Sequence, residues 1–139
     1  MPAERVELET AIEHFDRLLL DTCVLIDEFK KPSGRLAAIN RPQRATSVVA
    51  VWEFLHIRSG RLSEMERRDR RAWLVDQEIA AFPLNEGTGR SFEDLTEEEG
   101  PTSVADGLLA AQCLFEAVPL VTSNLKDFKD VVGLRYVAW

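Results

Sequence analysis

Three consecutive leucines followed by an aspartate, Leu18-Leu19-Leu20-Asp21, constrain the fold of this chain more than any other feature. A short apolar run that is bounded by charged residues predicts a strand buried on both faces of a sheet. In open α/β sheets, ligands bind in the crevice beyond the carboxyl ends of the strands. We therefore predict that Asp21 belongs to a functional site, and that further carboxylates return to the same place.

Strands alternate with helices along the 139 residues, which predicts one domain with a parallel sheet. Helices are predicted at 3–16, 24–29, 35–39, 63–82, 91–98 and 103–118, together with the later part of 48–57. Ser63 and Glu66 predict a capping box at the start of the 63–82 helix. Strands are predicted at 17–22, 119–122 and 134–139. Residues 83–84 are either a short strand or an extended link, and segment 45–49 is either a strand or a loop that leads into a helix.

Charge is distributed unevenly along a chain whose net charge is −7. Six arginines (58, 61, 67, 68, 70 and 71) stand against three acids between 58 and 71, whereas eight acids stand against Arg90 between 76 and 99. The basic stretch is either a face that contacts phosphates or a solvated helix with ion pairs between successive turns. Among its members, Arg58, Arg61, Arg67 and Arg68 are the weak candidates for substrate binding.

No apolar run approaches the ~20 residues that a membrane helix needs, and residues 1–16 lack the apolar centre of a signal peptide. These features predict a cytoplasmic protein. Cys23 and Cys113 are far apart in apolar stretches, so we expect small buried side chains rather than a disulfide.

Glu53 is an unusual residue for its surroundings. It lies within Val48-Val49-Ala50-Val51-Trp52-Glu53-Phe54-Leu55, with Val49 four residues before it and Ile57 four residues after it. An ionised carboxylate in a largely buried helix has to be paired, hydrogen-bonded or bound to metal. The alternative is that Glu53 occupies the one polar stripe of this helix.

Three other acids have structural alternatives of their own. Ser103 and Asp106 resemble a helix capping box, Asp21 or Thr22 is suited to cap the 24–29 helix, and Asp127 is suited to cap the element at Phe128. Four carboxylates at strand ends and helix starts are nevertheless hard to explain by capping alone. If they converge, they repel one another unless some are protonated or a cation neutralises them.

Oxygen ligands favour Mg²⁺ or Mn²⁺, whereas zinc is disfavoured because His14 and His56 are the only histidines and no Cys/His spacing fits. An acidic site that binds Mg²⁺ suits hydrolysis of phosphodiester bonds. A phosphotransferase of the haloacid dehalogenase type is excluded, because Cys23 stands where that mechanism needs a second aspartate.

Four stretches in order resemble a PIN domain, with the greatest similarity to the VapC-type toxin ribonucleases. They are residues 18–27, Ser47 six residues before Glu53, residues 103–111 and residues 120–128. The resemblance covers about 17–139, preceded by an extension at 1–16 that is longer than is typical. It implies a three-layer α/β/α sandwich with a central parallel sheet, an Mg²⁺- or Mn²⁺-dependent endoribonuclease, a homodimer, and inhibition by a VapB-type antitoxin.

By position, the resemblance implies that Asp21, Glu53 and Asp106 bind the metal and that Asp127 completes the catalytic acids. Thr22, Ser47 and Thr122 would support the ligands or a metal-bound water. Asn124 stands where many members carry Asp or Asn, so either Asn124 or Asp127 fills the fourth position, or a water replaces it. Cys23 replaces the more usual Asn or Ser.

Two other functions compete with the ribonuclease. A PIN-like binding module with little or no nuclease activity fits the acidic net charge and the unsettled fourth ligand. A DNase or 5′-nuclease is disfavoured because the chain lacks length for duplex-binding additions.

Overall fold

A computed structural model describes residues 2–56, 62–97 and 103–139, without the side chains of residues 96 and 97. Within these ranges six strands form one sheet, and every neighbouring pair of strands is parallel. In chain order the strands are β1 (Glu4–Arg5), β2 (Leu18–Leu20), β3 (Arg44–Ser47), β4 (Ala80–Phe82), β5 (Leu120–Thr122) and β6 (Arg135–Ala138). The predicted α/β class with a parallel sheet is confirmed.

Helices flank the sheet and complete the three-layer α/β/α sandwich. They are α1 (Leu8–His14), α2 (Thr22–Lys30), α3 (Val48–His56), α4 (Glu64–Asp76), α5 (Glu86–Glu97), α6 (Val104–Glu116) and α7 (Leu125–Phe128). Two 3-10 turns, Leu36–Ala38 and Arg41–Gln43, connect α2 to β3. None of the helices in the described ranges is long and apolar enough to cross a membrane.

The strands lie side by side in the order β1-β6-β5-β2-β3-β4. From β2 the chain proceeds to β3 and β4 on one side, whereas β5 and β6 occupy the other side. The loops that leave β2 and β5 therefore diverge in opposite directions and open a crevice between these two strands. Leu20 is in register with Thr46 of β3, and it is also in register with Val121 of β5. Asp21, one residue later, thus emerges at this crevice.

The leucine triplet forms the centre of the sheet, as predicted. Leu18, Leu19 and Leu20 are completely buried because β2 has a strand on each side and helices cover the sheet. Phe54 of α3, Leu109 of α6 and the remaining core side chains pack in the same apolar cluster. The site at the end of β2 therefore stands on the most constrained part of the molecule.

The amino-terminal segment contains a strand that the sequence pattern does not predict. Instead of one helix over 3–16, Glu4–Arg5 pairs with β6 and the helix is confined to Leu8–His14. The amide of Glu4 donates to Leu134 O at 2.8 Å, and the amide of Val6 donates to Tyr136 O at 2.8 Å. These main-chain bonds hold the segment against the sheet and depend little on side-chain pattern.

The capping box predicted at the start of the longest helix is present. Ser63 Oγ accepts the Glu66 amide at 3.1 Å, and Glu66 Oε1 accepts the Ser63 amide at 3.1 Å. The predicted end at Phe82 is wrong, because α4 stops at Asp76 and Glu78 adopts a φ of 54°. Residues 80–82 then form β4. The observed strand therefore lies directly before residues 83–84, where a short strand or an extended link was predicted.

The buried face of α4 includes an arginine. Met65 is 70% exposed, whereas Arg70 is only 7% exposed. The Arg70 guanidinium lies over the rings of Phe29 and Phe54, at 5.3 and 4.9 Å, and donates to Phe54 O at 2.8 Å. A cation thus satisfies a carbonyl near the end of α3 from inside the helical layer.

The helix predicted at 91–98 begins earlier, at Glu86, where Asn85 Oδ1 accepts the Thr88 amide at 2.9 Å. The predicted end of this helix, at residue 98, lies outside the described residues. The helix predicted over 103–118 is confirmed as α6, with Ser103 as its N-cap.

Candidate active site

Polar residues from three neighbouring strands meet at the carboxyl edge of the sheet. Asp21 follows β2, Ser47 ends β3 and Thr122 ends β5. The three side chains are buried, although hydroxyls and carboxylates are costly to remove from water without partners. Their partners therefore define the site.

Asp21 is the centre of a hydrogen-bond network that joins β2, α2 and β5. Its Oδ1 accepts the Thr22 amide at 2.7 Å, which makes Asp21 the N-cap of α2. Its Oδ2 accepts the Thr122 hydroxyl at 2.7 Å and the Cys23 thiol at 3.4 Å. The capping interpretation of Asp21 is confirmed, whereas its predicted binding of a metal stays a prediction. With only 5% of its surface exposed, this carboxylate has a fixed orientation.

Glu53 is linked to Asp21 through the residue between them. The Thr22 hydroxyl donates to Glu53 Oε1 at 2.8 Å, across 31 positions of sequence. Glu53 is half-buried, whereas the neighbouring Trp52 is exposed, so α3 is less buried than its composition suggests. The two acids that sequence analysis singled out first therefore share one connecting residue.

Ser47 acts on the helix that carries Glu53. Its hydroxyl accepts the Val49 amide at 3.1 Å, which satisfies a free donor in the first turn of α3. In this arrangement Ser47 fixes the direction of α3 at the carboxyl edge of β3. Its predicted support of a ligand or a water stays a prediction.

Thr122 connects Asp21 with the last candidate residues. While its hydroxyl donates to Asp21, the same oxygen accepts the Asn124 amide at 2.9 Å. Asn124 Nδ2 in turn donates to Asp127 Oδ2 at 2.8 Å. Asn124 is half-buried and Asp127 is exposed, so the structure places the two alternative fourth residues in contact with each other.

Asp106 lies in the first turn of α6, where its amide donates to Ser103 Oγ at 3.3 Å. Because α6 leads directly into β5 and runs back against the strand direction, its first turn lies near the carboxyl edge. Burial raises the pKa of the Cys113 thiol, and the negative charge of Asp21 raises it further. Cys113 is seven residues beyond Asp106 and therefore on the same face of α6. Asp106 is thus on the same face of α6 as Cys113 and is half-buried, and its predicted binding of a metal stays a prediction.

Cys23, which stands where Asn or Ser is more usual, takes part in the hydrogen bonds around Asp21. It was expected to be a buried apolar side chain like Cys113, but it is half-buried and its Sγ lies 3.6 Å from Thr122 Oγ1. Burial and the charge of Asp21 raise the pKa of this thiol, and hydrogen bonds from Ser123 and Thr122 oppose the rise.

The arginine candidates are placed less favourably for substrate. Arg58 and Arg61 lie outside the described residues. Arg67 is half-buried and donates to Leu62 O at 2.7 Å, while Arg68 is exposed on α4. Together with the buried Arg70, these contacts assign part of the basic stretch to holding α3 and α4.

The donors collected at the carboxyl edge are carboxylate and hydroxyl oxygens, with one thiol beside them. Such oxygens suit a hard cation such as Mg²⁺ or Mn²⁺ in their chemistry. In the part of the chain that the structure describes, no group of three or more His, Cys, Asp or Glu side chains is arranged to hold a metal ion. Donor type therefore fits a hard divalent ion, although the carboxylates do not form a closed ligand set.

Several solved structures have a fold similar to that of this chain. The structure is similar to VapBC2 from Rickettsia felis bound to a DNA fragment from the promoter, with a TM-score of 0.69 at 16% identity over 88% of this chain and 98% of that chain. It is similar to DNA-bound VapBC from Salmonella typhimurium, with a TM-score of 0.68 at 17% identity over 90% and 99% of the two chains. VapBC-5 from Mycobacterium tuberculosis gives a TM-score of 0.62 at 23% identity over 90% and 100%.

At these identities the structural likenesses establish the fold. A comparison with curated protein sequences finds no match. The family model for the PIN domain matches residues 18–134, which contain Asp21, Glu53, Asp106 and Thr122. The parallel sheet, the acids at its carboxyl edge and this match lead to one conclusion: the chain belongs to the PIN domain family.

Proposed function

We propose that the protein is a metal-dependent endoribonuclease of the VapC type, the toxin of a toxin–antitoxin pair. The observation that carries the proposal is the network Thr122–Asp21–Thr22–Glu53 at the crevice between β2 and β5. Nuclease activity is typical of PIN domains, and this is the place where an open α/β sheet binds its ligand.

Asp21, Glu53 and Asp106 would hold Mg²⁺ or Mn²⁺, with Asp127 as a fourth acid near the edge. A divalent ion at such a site supplies the charge stabilisation and the acidified water that phosphodiester hydrolysis requires. Among the residues that the structure describes, these carboxylates are not arranged as a group of three around one position.

The residues of this chain contribute orientation. Thr122 and the Thr22 amide hold the two oxygens of Asp21, while the Thr22 hydroxyl holds one oxygen of Glu53. Both hydroxyls are buried, so they keep these carboxylates in place without competing water. Preorganisation of this kind lowers the cost of assembling the site around substrate.

The test is cleavage of a mixed RNA pool by the purified protein with Mg²⁺ or Mn²⁺. EDTA is one control and Asp106→Asn is the other, because this substitution removes a charge and keeps the side-chain shape. We expect both controls to abolish cleavage while circular dichroism stays unchanged. Cleavage that persists at full rate with EDTA and in Asp106→Asn would refute the assignment.

A VapB-type antitoxin and a second copy of the chain are the proposed protein partners. Support comes from the structural neighbours, which are VapBC assemblies. Exposed apolar side chains such as Trp52 on α3, which is 57% exposed, provide surface that a partner would cover. Light scattering tests the dimer, and loss of cleavage on adding the antitoxin tests the pairing.

The competing function is a PIN-like binding module without efficient catalysis. It is favoured by one observation, the absence of a closed three-acid cluster among the described residues. A module of this kind would bind RNA or protein equally with Mg²⁺ and with EDTA. The cleavage assay therefore separates it from the nuclease.

A further inference from the structure

An open cleft lies at the same carboxyl edge as the candidate active site, where β1 and β6 end. Its volume is about 530 Å³, within the range of roughly 300–1,000 Å³ that is usual for small-ligand sites. Three segments line it: the turn from β1 into α1, the end of β6, and residues 33–38 after α2. Its polar side chains are those of Arg5, Glu7, Glu9, Ser33 and Arg35.

Arg35 is held in place by contacts that leave its charge available. Its guanidinium lies 4.7 Å from the centre of the Trp139 ring, and its Nη2 donates to Ala138 O at 3.3 Å. The ion pairs found between described residues do not include Arg35. An exposed guanidinium stacked on an indole presents donors and a flat face together, a combination that suits phosphate and base.

The cleft is connected to the active site through main-chain and side-chain bonds. The Trp139 amide donates to Thr122 O at 3.0 Å, and the Thr122 hydroxyl donates to Asp21 at 2.7 Å. Arg35 is therefore separated from Asp21 by two residues in contact. A nucleic-acid strand with a phosphate at Asp21 would reach this cleft if it continued along the carboxyl edge toward β6.

The remaining charges of the cleft favour a nucleotide over a free anion. Arg5 Nε lies 3.7 Å from Glu7 Oε1, so Arg5 is partly neutralised by its neighbour. Glu7 is partly neutralised in the same pair, which leaves Glu9 as an acceptor that repels bare phosphate but suits a ribose hydroxyl or a base amino group. The Arg35 cation beside this acceptor thus matches a nucleotide within a chain better than an isolated phosphate ion.

We propose that this cleft binds a nucleotide of single-stranded RNA next to the scissile phosphate, with Arg35 on the backbone and Trp139 as its support. The proposal rests on the ribonuclease function proposed above. The cleft lies partly outside the matched family range of 18–134, because Arg5–Glu9, Val137 and Ala138 line it together with Arg35, which lies inside that range. The amino-terminal segment thereby gains a role in substrate binding.

The test compares Arg35→Ala with Arg90→Ala, measured as KM and kcat on two RNA substrates. Arg90 is an exposed arginine on α5 that pairs with Glu86 and does not line the cleft, so it matches the charge change. One substrate is long enough to reach from Asp21 to Arg35, and the other is too short to do so.

We expect Arg35→Ala to raise KM for the long RNA by up to about fivefold, the effect of losing one exposed charged contact to the RNA backbone. The value of kcat and the KM of the short RNA should not change, and Arg90→Ala should match the wild type. The salt slope of binding for the long RNA should fall by about 0.7, the value of one phosphate contact on a single strand. Trp139→Leu should reproduce the KM effect, because it removes the support of the guanidinium.

Several results would overturn the proposal. Metal-dependent cleavage with an unchanged KM in Arg35→Ala would exclude the cleft and leave the ribonuclease intact. Equal effects on the long and the short RNA would place Arg35 elsewhere on the substrate path. An effect confined to inhibition by the antitoxin would assign the cleft to that protein. Absence of metal-dependent cleavage by the wild type would instead refute the proposed function.

Discussion

Removal of the Thr122 hydroxyl tests whether the network around Asp21 is real. Thr122→Val keeps the shape of a fully buried side chain and deletes one oxygen. That oxygen makes a 2.7 Å bond to the Asp21 carboxylate and accepts the Asn124 amide at 2.9 Å. A bond to a charged group contributes about 1.5–3 kcal/mol, and a neutral bond about 0.5–1.5 kcal/mol. We therefore expect the free energy of unfolding to fall by about 2–4 kcal/mol.

Urea unfolding followed by circular dichroism measures this loss, with EDTA present so that bound metal does not contribute. The slope m should be unchanged, because the same surface is exposed on unfolding. Thr122→Ser is the control, since it retains the hydroxyl and should lose much less. A double-mutant cycle with Asp21→Asn should give a coupling of at least about 1 kcal/mol. A loss below about 0.5 kcal/mol, or additivity in the cycle, would refute the reasoning.

Three further predictions concern single side chains. Cys23 should be alkylated slowly at neutral pH and faster above pH 9.0, because its pKa is raised from the ordinary thiol value of 9.0. Asp21→Asn should speed the reaction, and rapid labelling of the native protein at neutral pH would contradict this prediction. Arg44→Met should destabilise the fold by about 3–5 kcal/mol in urea unfolding, because this buried guanidinium donates to three main-chain carbonyls that would lose their partner; a change under about 1 kcal/mol would be inconsistent with it. Hydrogen bonds from Ser63 lower the pKa of Glu66 below 4.5. The stabilisation that Glu66→Gln removes should therefore be present above pH 4.5 and disappear as pH falls through the folded-state pKa. A difference in unfolding free energy between wild type and Glu66→Gln that does not depend on pH would contradict this prediction.

The centre of the fold was predictable from sequence, and so was the position of Asp21 at the end of the central strand. An apolar triplet followed by Asp21 indicates a buried strand with a carboxylate at its end, and a parallel sheet places such ends together. Glu53 was recognisable because its neighbours are apolar, and the structure links it to Thr22. Ser63 and Glu66 carried a local signal that does not depend on the rest of the fold.

Other features depended on contacts that the sequence pattern does not contain. Strand β1 consists of two exposed, charged residues and exists because its main chain pairs with β6. The early end of α4 follows from the positive φ of Glu78, which no sequence signal marks. Arg70 is buried because two aromatic rings from other elements lie beneath it. In each case a tertiary contact outweighed the local preference.

Some contacts of the candidate site were also predictable from sequence, and others were not. Thr22 and Thr122 were predicted as supporting hydroxyls through the family resemblance, and the structure gives their partners. The cleft at Arg35 was not predictable, because it depends on which loops meet at the carboxyl edge. Asn124 and Asp127 bond to each other, a relation that their spacing alone did not settle.

The central claim is that Asp21, Glu53 and Asp106 form one divalent-metal site. Mn²⁺ binding followed by electron paramagnetic resonance tests it most directly, using the wild type, Asp21→Asn, Glu53→Gln and Asp106→Asn. We predict that the wild type binds Mn²⁺ and that each substitution weakens binding by at least about tenfold, since loss of a ligand costs no less than loss of a residue that supports one. Wild-type protein that binds no Mn²⁺, or three variants that bind it as well as the wild type, would contradict the claim.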